Sequence, residues 1–375
     1  MNRLPATNDE AMIVLCGEAW GENELKIGQP FVGAAGIQLL WLLENAGLME
    51  LTAYDRSMLK SYYRLGKDPT CIASIWVRHP EFYRTNVFQL HPERNDLVTL
   101  CAPRSQAAPG LPALKPGKYL RSEFLPHIER LRSELEKYKP NLVIALGGTA
   151  TWALLGTTAI TKVRGVATYC KMVPTLKCLP TYHPAAILPG RQYELRPTIV
   201  RDLEKAKREA AFPEVRRPER IVYIEPTLED LAWFYESHIR GASRLGVDIE
   251  TDGDQISCIA FAPSIATALT VPFIDRRNGG NYWPDIHQEM EAWKWIRYIC
   301  NSETPKVFQN GLFDVHRLWR GYGIRVNNVE DDTMLLSHSL HPEALKGLAY
   351  LGSIYTDEAS WKLEVRHSKT IKKES

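Results

Sequence analysis

The chain has 375 residues, 45% of them hydrophobic and 24% charged, with a formal net charge of +2. That is core material for about two ordinary globular domains, and it excludes a collagen-like, low-complexity or highly basic chain. A near-neutral balance confines any nucleic-acid site to a local patch. Seven cysteines occur without any C-x-x-C pair, which points to free thiols in a reducing compartment such as the cytoplasm. No stretch reaches the roughly 18 apolar residues of a membrane span, and the N-terminal ten residues do not read as a signal peptide.

An apolar run at 11–16 reads as a buried parallel strand, followed by the Gly-rich stretch Gly17–Gly36 and an apolar helix at 37–43. Strand, glycine loop and helix form a ligand-binding turn: glycines admit close approach, and the helix N-terminus offers free N–H groups to an anion. Phe31, between Pro30 and Val32-Gly33, is a rigid loop aromatic suited to stacking on a flat base. Residues 52–83 read as an insertion with one helix near 55–65. A short strand at 85–88 leads to a polar loop at 91–95, and 102–117 is irregular. A helix spans 123–138, with Leu125, Ile128, Leu131 and Leu135 on one face. Strands at 141–146 and 176–180 each end in a polar turn, Gly147-Gly148-Thr149 and Thr181-Tyr182-His183-Pro184.

Residues 201–220 read as a terminal helix and linker. The domain reading is 1–212, a linker at 213–220, and 221–375. The second part opens with a strand at 221–224 and the capping-box pattern Thr227 to Asp230. Strands follow at 245–249, 255–262 and 266–271, then a Trp-rich helix at 283–300, a strand at 306–308 and a helix at 312–322.

The stretch G-E-A-W-G…G-Q-P-F-V-G-A-A-G resembles the first motif of the family 4 and 5 uracil-DNA glycosylases. Trp20 stands where the family has proline, and Leu25 where it commonly has aspartate. Thr85-Asn86-Val87, Pro140–Gly148, Arg164-Gly165 and Tyr182–Ala186 resemble later motifs of that family in the right order. The resemblance implies a three-layer α/β/α sandwich and a pocket for an extruded uracil. By it, Glu18 serves the water, Phe31 stacks, Asn86 reads the base and His183 stabilises the leaving base. Gly17 and Gly33 line the site, and 188–192, with Leu188 and Arg191, wedges into the duplex. Family 4 holds an iron–sulfur cluster on four cysteines; Leu90 replaces one ligand here, so no cluster is expected.

Asp248-Ile249-Glu250 places two acids on one side of a strand end. An isolated D-x-E is ordinarily a solvated strand end, but Asn310-Gly311-Leu312-Phe313-Asp314 follows. Together they resemble the first two motifs of DnaQ-like 3′–5′ exonucleases. Downstream, 331–335, 340–343 and 346–348 resemble the exonuclease domain of phage family A DNA polymerases. This implies a ribonuclease-H-like α/β domain in which Asp248, Glu250 and Asp314 bind Mg2+ or Mn2+ and Asn310 contacts substrate. The third motif, Y-x-x-x-D or H-x-x-x-D, is missing. Tyr355-Thr356-Asp357 has the wrong spacing, in a place where the family has a loop, so the domain is expected to be incomplete.

The expected function is a DNA repair and replication hydrolase of bacteriophage type, acting on uracil-containing or single-stranded DNA or a primer 3′ end, beside a DNA polymerase subunit. The alternative is a non-catalytic uracil- or template-binding module docked to a separate polymerase. An unrelated nucleotide hydrolase on a doubly wound sheet explains neither tandem signature. The cytoplasm, that of the host for a phage protein, is the expected location.

Overall fold

A computed structural model describes residues 13–275, 277 and 280–358. They form two compact units, 13–216 together with 349–358, and 217–348. The segment 349–358 therefore packs with the first unit, not with the second, where the sequence reading put it. Residues 11 and 12 of the first expected strand, and the C-terminal residues 372–375, lie outside the described residues.

The first unit holds strands β1 (Ile13–Ala19) and β2 (Phe82–Phe88). It also holds β3 (Leu142–Leu146), β4 (Thr168–Tyr169) and β5 (Lys177–Thr181). The sheet order is β2-β1-β3-β5-β4, parallel except for β4. Alternation along β1 and β3 makes the three layers. Ile13, Leu15, Leu142, Ile144 and Leu146 join one apolar cluster, and Val14, Cys16, Val143 and Ala145 join the other.

The helices are α1 (Glu22–Ile27), α2 (Ala34–Asn45), α3 (Ala53–Arg64) and α4 (Pro69–Trp76), then α5 (Leu125–Tyr138), α6 (Gly148–Leu155) and α7 (Arg196–Glu209). Helices α2 and α7 supply the first cluster, α5 and α6 the second. The insertion at 52–83 carries two helices where one was expected. The second starts from Asp68, whose side chain accepts from Thr70 N–H, with Pro69 at the first helical position. That N-cap and proline pairing is a legible start signal.

In the second unit the strands are β6 (Ile221–Tyr223), β7 (Leu245–Asp252) and β8 (Gln255–Ala262). They continue with β9 (Thr267–Pro272), β10 (Lys306–Phe308) and β11 (Val329–Asp332). The order is β11-β10-β7-β8-β9-β6. The meander β7-β8-β9 is antiparallel, and the outer strands run parallel to their neighbours. This is the mixed sheet expected of a ribonuclease-H-like domain. Helices α8 (Leu228–Phe234), α9 (Ile286–Asn301), α10 (Leu312–Tyr322) and α11 (Thr333–Leu340) accompany it. Thr227 and Asp230 form the capping box anticipated for α8. Helix α9 begins three residues later than expected. Pro284 disfavours helical backbone at Trp283, and the Asp285 side chain caps the helix instead. Trp283 is buried in the core. Where a loop was expected around Tyr355, the chain is helical over α12 (Leu348–Tyr355).

Candidate active site

The expected base-binding residues converge at the C-terminal ends of β1, β2, β3 and β5, where open parallel sheets bind ligands. Gly17 and Asn86 are register partners on β1 and β2. A Cβ on Gly17 would stand 2.3 Å from Asn86 Oδ1 and 2.6 Å from Phe31 Cζ, so only glycine admits both side chains. Phe31, expected as an exposed loop aromatic, is instead 4% exposed and packs in the first apolar cluster; across the site its ring lies 6.2 Å from that of His183 at 30°. His183 packs in turn over Gly147, where a Cβ would come within 2.9 Å of its own Cβ.

Phe31 has φ of 58°, a left-handed backbone that costs a non-glycine residue roughly 1 kcal/mol or more. Its neighbours hold it there. Trp76 Nε1 donates to Phe31 O at 2.9 Å, and Arg84 Nη1 donates to Pro30 O at 2.9 Å. Gly36 gives the loop room, since a Cβ there would sit 1.9 Å from Phe31 O. Buried Glu24 accepts from Val32 N–H at 3.1 Å and Gly33 N–H at 2.9 Å. This corrects one expectation: the anion at the start of α2 is the protein's own Glu24, to which the Gly33 N–H already donates. Sequence reasoning assigned Glu24 no role, although it is one of the acids of the Gly-rich loop. Trp76 and Arg84 carried no sequence signal, because each reaches the loop from a distant element.

The end of β2 is fixed from α5. Arg130 donates to Thr85 Oγ1 at 3.1 Å and to the carbonyls of Asn86 and Val87, and pairs with Glu134 at 2.6 Å. Asn86, 3% exposed, is therefore carried on a pinned backbone.

His183 Nδ1 accepts from Ala185 N–H at 3.1 Å, which leaves the proton of a neutral ring on Nε2. Burial, helped by the charge of Arg191, pushes its pKa down to about 4. The ring is thus a neutral N–H donor at physiological pH. Glu18 accepts from Thr149 Oγ1 at 2.5 Å. It also lines a cavity of about 350 Å3 with Asn95, Asp96, Lys115, Gly148 and Thr149 among others; Phe31, Asn86 and His183 do not line it. Of the segment expected to wedge into the duplex, most is exposed. Leu188 is half-buried, while Pro189 to Glu194 are exposed, and Arg191 Nη1 turns back to Ala185 O at 3.3 Å.

In the second unit Asp248 and Glu250 lie on the exposed side of β7, opposite Ala260 and Cys258 of β8. Asp314, in the first turn of α10, is buried and accepts from Ile249 N–H at 3.0 Å. Burial pushes its pKa up to about 6; the Ile249 N–H opposes this and the Asp248 charge adds to it. Asn310 sits in a left-handed turn, φ 61°. Its N–H and that of Gly311 donate to Asp332 at 3.0 and 2.7 Å. Asp332 also caps α11 through Met334 N–H at 2.8 Å. Burial works against its charge, but these backbone donors prevail and hold its pKa below the usual range.

Neither implied inorganic group finds a donor set. Among the described residues no three or more His, Cys, Asp or Glu side chains are grouped to hold a metal ion. Asp248, Glu250 and Asp314 thus do not fit a two-metal centre as they stand. The cysteines do not fit an iron–sulfur cluster either. Leu90, at the expected ligand position, packs against the core with Leu97 and Leu100.

The uracil DNA glycosylase superfamily model matches residues 4–204. The chain is 31% identical over 202 residues to the type-4 uracil-DNA glycosylase of Thermotoga maritima, covering 53% of this chain and 78% of that protein. It is 29% identical over 194 residues to that of Archaeoglobus fulgidus, covering 50% and 72%. Among solved structures, Escherichia coli RNase D aligns with a TM-score of 0.30 at 17% identity, over 39% of this chain and 36% of that one. Brucella melitensis NrnC with bound Mg2+ aligns with a TM-score of 0.25 at 15% identity, over 38% and 64%. On a family match spanning more than half its length, the chain belongs to the uracil DNA glycosylase superfamily, a superfamily of hydrolases.

Proposed function

We propose that the first unit hydrolyses the N-glycosidic bond of a uracil flipped out of DNA. The observation that carries this reading is the convergence of Phe31, Asn86 and His183 around Gly17 and Gly147. A planar base stacks on Phe31. The Asn86 amide, both donor and acceptor, reads the base edge. As the C–N bond breaks, electrons pass to the base, and neutral His183 donates through Nε2–H to the oxygen that becomes negative. Glu18, oriented by Thr149, accepts a proton from the attacking water and faces the sugar cation. The exposed residues from Pro189 to Tyr193, with Arg191, meet the strand opened by extrusion. The cavity beside Glu18, with Lys115 and the start of α6, receives the flanking strand.

The test uses the full chain and an oligonucleotide with one uracil, in EDTA, with alkaline cleavage of abasic sites. Uracil-dependent cleavage that disappears in Asn86→Ala and His183→Ala is the expected result. Folded protein that binds uracil-DNA over thymine-DNA without cleaving it would establish the non-catalytic module instead.

The second unit is proposed as a phage-type 3′–5′ exonuclease-like unit, resting on the D-x-E and N-x-x-x-D pattern carried on β7 and α10. The acids lack a metal-holding arrangement, so this chain alone is weak or inactive as a nuclease and works with a DNA polymerase partner. Free cysteines throughout suit a cytoplasmic setting. Among the described residues no helix is long and apolar enough to cross a membrane.

A further inference from the structure

We infer that residues 349–358 are an integral part of the first unit and position the strand end that carries His183. Three buried charged groups meet there. Asp202 of α7 is fully buried, Arg164 is 2% exposed and Lys205 is 4% exposed. Arg164 pairs with Asp202 through both Nε, at 2.9 Å, and Nη2. Asp202 also accepts from Thr181 Oγ1 at 2.6 Å. Thr181 is the last residue of β5, two before His183, and the Arg164 guanidinium lies 5.9 Å from the intervening Tyr182 ring. The ion pair thus ties α7 to the strand end from which His183 projects.

Residues 349–358 complete this network. Arg164 Nη1 donates to Ser353 Oγ at 2.7 Å. Lys205 Nζ donates to Ser353 O at 2.6 Å and Thr356 O at 2.5 Å, and at 3.2 Å to Gly165 O. Thr198 and Tyr350 share a hydroxyl hydrogen bond of 2.9 Å. Gly165 has φ of 72° and a Cβ there would stand 3.2 Å from Ser353 O, so the segment packs on bare backbone. An ammonium has three donors and no acceptor capacity. Two of the three acceptors of Lys205 are carbonyls of this segment. Without the segment Lys205 keeps the bond to Gly165 O and the attraction of Asp202, but loses two of its three carbonyl partners. The sequence match to the superfamily ends at residue 204, so the closing piece of the unit is one that family motifs do not contain. The role for His183 rests on the glycosylase reading, whereas the packing role does not.

The test compares the full chain with one ended by a stop codon after Leu348. Amide exchange in the first unit is expected to quicken at least tenfold at Gly165, along β5 and through 198–205, and to leave the far strand β2 protected. Lys205→Met is expected to quicken that exchange in the full chain, where it removes the two bonds to the segment, and to add little in the shortened chain, where those bonds are already gone, a non-additivity that general loss of packing does not produce. Because the shortened chain can fail to fold, Ser353→Ala and Tyr350→Phe in the full chain are read in parallel. There the 13C-histidine signal of His183 is expected to titrate upward from about 4, with kcat on uracil-DNA reduced and KM unchanged. Unchanged exchange and an unchanged His183 titration in these variants would overturn the inference. No turnover by the wild-type chain would sink the glycosylase assignment and leave the packing role standing, whereas turnover lost in these variants with exchange and titration unchanged would count against the positioning role alone.

Discussion

Gly17 and Asn86 face each other across β1 and β2 so closely that a single added methyl on Gly17 would fall 2.3 Å from Asn86 Oδ1. The site is therefore built on a missing side chain. Gly17→Ala should keep the sheet, because both neighbours it strikes are side-chain atoms, yet move Asn86 and Phe31. A displacement of about 1 Å costs roughly a hundredfold in rate. Single-turnover excision of uracil and far-ultraviolet circular dichroism, measured together, check this. Wild-type turnover in the variant would show that Asn86 does not need its present place.

Glu24 clamps the Phe31 loop from within. Glu24→Ala strips the acceptor from Val32 N–H and Gly33 N–H. The expected loss is roughly 2–3 kcal/mol of first-unit stability, the range for buried bonds to a charged group. Glu24→Gln keeps one acceptor oxygen and should lose less. Urea unfolding followed by first-unit tryptophan fluorescence is the measurement, and equal losses in the two variants would contradict the clamp.

His183 should impose no inflection near the ordinary histidine value of about 6.5 on the pH–rate profile, because its folded pKa is about 4. The same shift has a stability consequence. The unfolded ring takes up a proton below about 6.5, while the folded ring resists until about 4. The contribution is complete above 6.5 and is lost as pH falls toward 4, by up to roughly 3 kcal/mol. His127 is also depressed, by burial and Arg130, so the comparison needed is His183→Gln against wild type across that window. A slope unchanged in the variant would mean that another group carries it.

Asp314 works in the opposite sense. Its folded pKa, raised to about 6, lies above an unfolded value of about 3.9. The folded state binds the extra proton between these values, so the second unit is favoured below about 4 and loses that advantage as pH rises through 6. Asp314→Asn preserves an acceptor for Ile249 N–H and removes the repulsion from Asp248. It should raise second-unit stability at pH 8 by about 1–2 kcal/mol and leave it near wild type at pH 4. Calorimetry at the two pH values decides this.

Magnesium added to the full chain should elicit little 3′–5′ degradation of single-stranded DNA, and Asp248→Ala should change the residual rate by less than about tenfold. A two-metal nuclease loses far more when a ligand is removed. A robust, magnesium-dependent activity abolished by Asp248→Ala would refute the reading of a weak or inactive nuclease.

Local chemistry wrote much of this protein plainly. Apolar runs ending in Gly17, Asn86, Gly147 and His183 announce parallel strands that deliver polar residues to one rim, because strand ends and turn residues are short-range features. The D-x-E of β7 and the capping box of α8 are legible for the same reason. What tertiary structure alone decided are pairings that no local pattern marks. Glu24 takes the helix N-terminus that a ligand was expected to use. Trp76, from a helix read as part of an insertion, holds the carbonyl of Phe31. Residues 349–358 close the first unit although the second lies between them in sequence. Glu24 reaches only eight and nine residues along the chain, but across a helix and a turn; the other two depend on burying a charge or a carbonyl beside a partner dozens or hundreds of residues away, and neither periodicity nor spacing encodes that proximity.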